Sequence, residues 1–185
     1  MNIYDILATV WLFIGAGLAN AAPVFANKIP YLKEWVTPLD FGLEFRGKPV
    51  FGKNKTWRGL MFGALIATLT VILQKLLLKY LDTDIDINGQ SFNELPTLLL
   101  GLALGIGPLV GDAIESFFKR RANVAPGKSW FPFDQLDYII GAIIFTYPIA
   151  PLLLWQYVSL FIIGFGTHLI ASYIGYIMKL KDSPI

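Results

Sequence analysis

Residues 138–178 read YIIGAIIFTYPIAPLLLWQYVSLFIIGFGTHLIASYIGYIM and contain no Asp, Glu, Lys or Arg. A transmembrane helix needs about 20 apolar residues to cross roughly 30 Å of hydrocarbon. This run is about twice that length, so we expect it to fold back on itself and cross the bilayer twice. Pro148 and Pro151 disturb its first half, and Trp155, Gln156 and Tyr157 predict a turn at the membrane interface.

Three further apolar stretches precede this run. They cover Ile6 to Asn27, Gly59 to Gln74 with an apolar extension to Tyr80, and Leu95 to Gly111. The whole chain is 55% hydrophobic and only 15% charged, which is too few charges for the surface of a soluble domain of 185 residues. We therefore predict an all-α integral membrane protein, with about five transmembrane helices forming one domain over residues 1–185.

The basic residues predict the orientation of the chain in the cell membrane. Between the first two spans lie Lys28, Lys33, Arg46, Lys48, Lys53, Lys55 and Arg58; between the third and fourth lie Lys119, Arg120, Arg121 and Lys128; Lys179 and Lys181 follow the last span. The positive-inside rule places both basic loops and the C-terminus in the cytoplasm and the N-terminus outside. Lys75 and Lys79 are exceptions, near the outer end of the second span, where long side chains can snorkel.

Four carboxylates are expected at the cytoplasmic ends of neighbouring spans. Asp112 and Glu115 share a helix face because they are three residues apart, and Asp134 and Asp137 repeat that spacing at the start of the fourth span. A carboxylate at the membrane boundary is costly unless it is paired or binds a cation. Hard oxygen ligands of this kind suit Mg²⁺, which commonly binds through carboxylates and substrate phosphates. The alternative is ordinary juxtamembrane charge, with Lys119 to Arg121 touching anionic lipid headgroups.

The first basic loop predicts a phosphate site. Thr56 is a plausible N-cap for the second span, whose free backbone N–H groups would lie beside Lys53, Lys55 and Arg58. The spacing nearly matches a P-loop, but Asn54 replaces the required Ser or Thr and no buried strand precedes it, so we reject that motif. The alternative is a basic loop that only sets topology.

Two other features suggest no chemistry. Residues 82–89 resemble a calcium loop, but the glycine comes late and Asn93 replaces the bidentate Glu, so a solvated external loop is expected. His168, the only histidine, lies within the last span without a nearby carboxylate in sequence, which favours packing or hydrogen bonding. The chain has no Cys, which excludes disulfides and thiolate chemistry.

The two loops together resemble a known family. The pattern Gly111-Asp112-x-x-Glu115-Ser116-x-x-Lys119-Arg120, then Pro126-Gly127, then Asp134-x-x-Asp137 resembles the signature of the CTP-dependent phosphatidate cytidylyltransferases. The strings Asn20-Ala21-Ala22-Pro23, Pro38-Leu39-Asp40-Phe41-Gly42, Arg46-Gly47 and Gly52-x-x-Lys55-Thr56-Trp57-Arg58-Gly59 are similar to its archaeal branch, the CDP-archaeol synthases. Lys128-Ser129-Trp130 and Gln135 depart from the bacterial-type signature.

The resemblance implies a membrane nucleotidyltransferase. It would transfer CMP from CTP to an unsaturated isoprenoid ether lipid phosphate, releasing pyrophosphate, with membrane lipids but no nucleic acid as further partners. The implied catalytic residues are Asp112, Asp134, Asp137 and Lys55; the implied Mg²⁺ ligands are Asp112, Glu115, Asp134 and Asp137; the implied substrate-binding residues are Lys53, Lys55, Thr56, Arg58, Glu115, Lys119, Arg120, Lys128 and Asn20.

Three rival functions stay open at this point. A CDP-alcohol phosphotransferase would carry an Asp-Gly-x-x-Ala-Arg string, which the sequence lacks. A transporter would place charges along the membrane midplane, whereas the spans are nearly free of charge. A structural membrane subunit would tolerate loss of Asp112.

Overall fold

A computed structural model describes residues 2–179. The helices are α1 (Ile3–Ala26), α2 (Pro30–Lys33), α3 (Trp57–Tyr80), α4 (Thr97–Arg121), α5 (Phe133–Thr146) and α6 (Leu154–Ile177). Two short antiparallel hairpins, β1 (Glu44–Phe45) with β2 (Lys48–Pro49) and β3 (Asp86–Ile87) with β4 (Gln90–Ser91), occupy the connections on either side of α3. A short 3₁₀ turn, Phe92–Glu94, leads into α4.

Four helices within residues 2–179 are long and apolar enough to cross a membrane: α1, α3, α4 and α6, with 24 or 25 residues each. α5 has 14 residues, a length of about 21 Å, which is shorter than the hydrocarbon layer. The predicted all-α membrane architecture is confirmed. The number of crossings and the direction of the termini stay predictions, and Lys181 lies outside the described residues.

The predicted turn at Trp155–Tyr157 is wrong. The break between α5 and α6 covers residues 147–153, and the three residues lie in the first turn of α6. Pro148 and Pro151 explain the earlier break, because proline removes a backbone donor and disfavours helix in the residue before it. Gln156 stabilises the new helix start: it is buried, and its side-chain oxygen accepts a hydrogen bond from the backbone N–H of Leu153 at 2.8 Å.

α4 lies at the centre of the bundle and touches its neighbours through glycines. A Cβ added to Gly105 would lie 2.4 Å from the Cα of Ala64 on α3. A Cβ added to Gly107 would lie 2.7 Å from the carbonyl oxygen of Gly141 on α5. Such approaches allow close helix packing without a hydrophobic driving force, as is typical inside membranes. The backbones of α3 and α5 therefore lie directly against opposite parts of α4.

Candidate active site

Three carboxylates from α4 and α5 converge. One oxygen atom each from Asp112, Glu115 and Asp137 lies within 4.8 Å of the other two. Glu115 is only 7% exposed, and its Oε1 atom is buried without a hydrogen-bond partner among residues 2–179. A buried carboxylate oxygen without a donor is unfavourable unless a cation compensates it, and Nζ of Lys119, 3.6 Å from this oxygen, does so in part. We call these three residues the carboxylate cluster.

Gly111 makes the cluster possible. It directly precedes Asp112, and a Cβ at this position would lie 2.2 Å from the carbonyl oxygen of Asp137. Any side chain at position 111 would therefore push α5 away from α4. The close approach brings Asp137 beside Asp112 and Glu115, which are one helical turn apart on α4.

The carboxylate cluster suits a divalent cation with hard oxygen ligands. Opposite ligands of Mg²⁺ are about 4.2 Å apart when each lies 2.1 Å from the ion. Neighbouring ligands of an octahedral ion are about 3.0 Å apart, so the three oxygens, which lie within 4.8 Å of one another, would have to move closer by side-chain rotation to bind one ion. The donor set is oxygen only, as Mg²⁺ requires.

α4 continues well past the predicted end of its span. It runs without a break to Arg121, nine residues beyond Asp112, which corresponds to about 13 Å of helix. Asp137 likewise lies in the second turn of α5, which begins at Phe133. The carboxylate cluster is therefore recessed among the helices and does not lie at the end of α4.

Lys55 joins the first loop to the carboxylate cluster. Its Nζ atom lies 2.6 Å from Oδ1 of Asp112, although the two residues are 57 positions apart in sequence. The next residue, Thr56, is the N-cap of α3 as predicted, and its hydroxyl accepts a hydrogen bond from the Gly59 N–H at 3.2 Å. The positive N-terminal end of α3 consequently lies beside the cluster.

Lys119 bridges Asp134 and Glu115 of the carboxylate cluster. Its Nζ atom lies 2.5 Å from Oδ1 of Asp134 and 3.6 Å from Oε1 of Glu115. The second oxygen of Asp134 accepts a hydrogen bond from the Trp130 N–H at 2.6 Å. Asp134 is therefore held by a cation and a backbone donor, and its predicted role as a metal ligand stays a prediction.

Arg58 has partners other than those expected. It is buried, and its NH1 group donates to the carbonyl oxygens of Leu32 and Lys33, each at 3.1 Å. Both acceptors lie at the end of α2. The structure thus gives Arg58 a role in ending that helix, and its predicted contact with phosphate is untested.

The remaining four predicted site residues have side chains without polar partners among the described residues. Lys53 and Lys128 are exposed, while Arg120 and Asn20 are half-buried. Within residues 2–179 none of these four side chains forms a hydrogen bond or an ion pair. Three of them are cations that a phosphate could recruit, and their roles stay predictions.

Asp40 is a buried residue whose role the sequence did not reveal. Its carboxylate is 5% exposed and accepts hydrogen bonds from the backbone N–H groups of Gly42, Phe51 and Gly52 at 3.0, 2.7 and 3.0 Å. Burial by itself raises the pKa of Asp40, but these three donors outweigh it and hold the pKa below its ordinary value. The Asp-x-Gly spacing was the only local signal, because acceptors of this kind commonly close turns.

Comparison with known proteins identifies the family. A sequence model of the family described as CarS-like, CDP-archaeol synthase, matches residues 2–185. The chain belongs to the CDP-archaeol synthase family. A CDP-archaeol synthase of Methanocaldococcus jannaschii is 33% identical over 180 residues, covering 96% of each chain. One of Pyrococcus furiosus is 32% identical over 187 residues, covering 98% of this chain and 99% of the other.

A solved structure supports the same assignment for the fold. It is described as an intramembrane enzyme for archaeal membrane lipid biosynthesis, with a TM-score of 0.71 and 25% identity. The match covers 90% of this chain and 93% of the other. Membership of the CDP-archaeol synthase family confirms the resemblance carried by the two loops.

Proposed function

We propose that this chain transfers CMP from CTP to the phosphate of an isoprenoid ether lipid, producing a CDP-lipid and pyrophosphate. The observation that supports this most directly is the carboxylate cluster of Asp112, Glu115 and Asp137 with Lys55 bound to Asp112. The relatives named CDP-archaeol synthase match this chain over nearly their full length, which supports the same reaction.

The reaction places modest demands on the protein. An oxygen of the lipid phosphate attacks the α-phosphorus of CTP, and the bond from that phosphorus to the bridging oxygen of the β-phosphate breaks. The electron pair leaves with pyrophosphate. Because the nucleophile is already an anion, no side chain must remove a proton or form a covalent intermediate. The protein must instead align two anions and offset their charge.

Asp112, Glu115 and Asp137 are the residues that would hold Mg²⁺. The bound ion would offset negative charge on the triphosphate oxygens. Lys55 already contacts Asp112. Its ammonium group therefore lies where it could donate a hydrogen bond to a phosphate oxygen bound beside the cluster. The N-terminus of α3, capped by Thr56, presents its positive end in the same place.

The three cations without polar partners among the described residues complete the proposed binding surface. Lys53, Arg120 and Lys128 would recruit the outer phosphates of CTP through their positive charge. Asn20, half-buried on α1, would contact the polar head of the lipid. Lys119 would act indirectly, because its two carboxylate contacts hold Glu115 and Asp134 in place.

The active site is proposed to open to the cytoplasm. The contact between Lys55 and Asp112 brings the two basic loops to the same end of the bundle. Positive loops stay on the cytoplasmic side of a membrane, which is also where CTP is made available by soluble metabolism.

A reconstituted assay tests this proposal. Purified protein is given CTP labelled at the α-phosphate, Mg²⁺ and an isoprenoid ether lipid phosphate in detergent. We expect label in the lipid and an equal amount of released pyrophosphate, both stopped by EDTA. The matched control is the same lipid without its phosphate, which cannot act as the nucleophile. Label transfer to that control, or CMP release from a CDP-lipid plus an alcohol, would instead indicate a different lipid transferase.

A further inference from the structure

Three consecutive cations at the end of α4 have three different surroundings. Lys119 contacts two carboxylates, and Arg120 has no ion pair or hydrogen bond among the described residues. Arg121 contacts backbone carbonyl groups. Its NH1 group donates to Pro49 and Val50 at 2.8 and 3.2 Å, and its NH2 group donates to Phe45 at 3.2 Å.

The acceptors of Arg121 belong to the first loop. Phe45 lies on β1, Pro49 lies on β2, and Val50 follows directly. The carbonyl oxygen of Phe117, one turn earlier on α4, accepts a further hydrogen bond from Arg121 NH1 at 3.1 Å. One guanidinium group therefore links the hairpin of the first loop to the last turn of α4.

Aromatic rings reinforce this link. The guanidinium carbon of Arg121 lies 3.7 Å from the ring centre of Phe117 and 5.4 Å from that of Phe45. Both distances are within the range of favourable cation–π contacts. Lys48 on β2 makes contacts in the opposite direction, from the hairpin to the end of α4. Its Nζ atom donates to the carbonyl oxygen of Arg121 at 3.3 Å and to the side-chain oxygen of Asn123 at 2.5 Å. The hairpin is thus bound to α4 from both sides.

Both terminal nitrogens of Arg121 donate to the protein, and its Nε atom is buried without a partner among the described residues, so the guanidinium is poorly placed to bind a phosphate. Four of its contacts are to carbonyl oxygens, and a fifth and sixth involve ring faces. A planar guanidinium with a fork of donors suits several fixed acceptors, whereas a lysine ammonium offers a point charge without that fork. Arg121 therefore holds backbone carbonyl groups of the first loop against α4, and we call this set of contacts the clamp.

The clamped hairpin is connected to Lys55 by further hydrogen bonds. Asp40 holds the N–H groups of Phe51 and Gly52. The carbonyl oxygen of Gly52 accepts from the Lys55 N–H at 3.2 Å, and the Lys55 carbonyl oxygen accepts from the Leu39 N–H at 2.7 Å. A displacement of the hairpin would be transmitted through this short chain of contacts.

We propose that Arg121 is a positioning residue, which holds the first loop against α4 so that Lys55 reaches Asp112. This inference rests on the proposed function for its effect on turnover. It requires neither metal nor substrate for its effect on the loop. The two parts can therefore be tested separately.

A double-mutant cycle tests the effect on turnover. Arg121→Ala should lower the rate of CMP transfer about 10-fold, because small misplacements of a catalytic group are costly. In a Lys55→Ala background the same substitution should lower the rate less than about 2-fold, since the residue it positions is gone. Arg121→Lys should not restore the rate. Equal losses in both backgrounds, or rescue by lysine, would overturn the proposal.

Spin labels test the effect on the loop without any turnover. The chain contains no Cys, so single labels can be placed at Glu44→Cys on β1 and at Asn54→Cys beside Lys55. Arg121→Ala should increase the mobility of both labels. Arg46→Gln is the matched control, because Arg46 lies 5.3 Å from the same Phe45 ring without a carbonyl contact among the described residues, and it should leave both labels unchanged.

The label results separate the two proposals. Mobility at Glu44 alone would mean that Lys55 is held independently of Arg121, and the positioning role would be rejected. If Arg121→Ala increases the mobility at both positions, but the protein with Arg121 intact does not turn over CTP, the clamp is supported and the proposed reaction is rejected. Unchanged mobility at both positions would reject the clamp, whatever the activity.

Discussion

The two ends of α3 and α4 both carry lysines, aspartates and a short hairpin, but they use their acids differently. At the end opposite the carboxylate cluster, Asp84 accepts hydrogen bonds from the Ile85 N–H and the Asn93 side chain, and Asp86 accepts from the Gly89 N–H. Each of these carboxylates closes its own loop. At the cluster end, Glu115 has a buried oxygen without a hydrogen-bond donor among the described residues, and the cluster combines acids of α4 with Asp137 of α5.

Lysines show the same contrast. Lys75 donates to the backbone carbonyl oxygens of Asn93 and Leu95, which ties α3 to the loop before α4. Lys55 instead contacts a carboxylate of the cluster. Acidic residues are dense in residues 82–94 as well, so the number of acids in a segment does not make a site. Convergence of carboxylates from two helices distinguishes the two ends.

The largest expected effect is the loss of a cluster carboxylate. Asp112→Asn or Asp137→Asn should lower CMP transfer on the order of 100-fold or more, because each removes negative charge that a divalent cation requires. Asp84→Asn is the matched control at the opposite end and should leave the rate within about 2-fold. Turnover with labelled CTP measures all three. Full activity in both Asp112→Asn and Asp137→Asn would remove the basis for the proposed site.

The next effect should come from the glycine contact between α4 and α5. Gly111→Val places a side chain against the Asp137 carbonyl oxygen, where a Cβ would lie 2.2 Å away, and overpacking of this kind costs about 1–3 kcal/mol. We expect α5 to shift and turnover to fall about 10-fold or more, since the carboxylates separate.

Gly17→Val is the control for that substitution. Gly17 lies on α1, and a Cβ there would meet nothing within 4 Å. Its activity and thermal midpoint in detergent should match those of the wild type. Equal activity of Gly111→Val and wild type would show that the close approach of α4 and α5 is unnecessary for the reaction.

The two lysines should separate catalysis from stability. Lys55→Met should lower turnover about 10-fold or raise the KM for CTP, because a phosphate ligand is lost. Lys75→Met should leave KM unchanged and lower the stability of the folded protein by about 1–2 kcal/mol, through lost hydrogen bonds to carbonyl groups. Turnover kinetics and thermal unfolding in the same detergent make the comparison. A raised KM for CTP in Lys75→Met would contradict the proposal that CTP binds at the Lys55 end and that Lys75 has only a structural role.

The smallest effect concerns the pH dependence of stability. Hydrogen bonding lowers the pKa of Asp40 below 3.8, against the opposing influence of burial. A lowered pKa in the folded state stabilises the protein above the unfolded value, and this contribution is lost as pH falls through the folded pKa. Asp40→Asn should therefore be less stable than wild type at pH 6, and the difference should shrink below about pH 4.

Asp84 provides the comparison for Asp40. Its pKa is also lowered, chiefly by the Ser91 side chain and also by backbone donors, against the opposing effect of burial. Because Asp84 is exposed, Asp84→Asn should change stability less than Asp40→Asn at every pH. Thermal unfolding between pH 3 and pH 7 measures both. A larger effect for Asp84 would mean that the first loop is not held by its buried carboxylate.

Local patterns were sufficient to predict part of the candidate active site. Thr56 was predicted as the N-cap of α3 because capping depends on residues within one turn, and the structure has it there. Asp112 and Glu115 were predicted to share a face for the same reason. The partners of Arg58 and Arg121 could not be predicted, because they are backbone carbonyl groups, which every residue possesses.

The sequence alone determined the membrane class, the approximate positions of the long helices and the family. These depend on runs of apolar residues and on motifs, which are local properties of the chain. Only the tertiary structure decided which acids converge. Asp137 reaches Asp112 because glycines let two backbones touch, and Lys55 contacts Asp112 although 57 positions separate the two residues. Neither approach is encoded in the spacing of the residues involved.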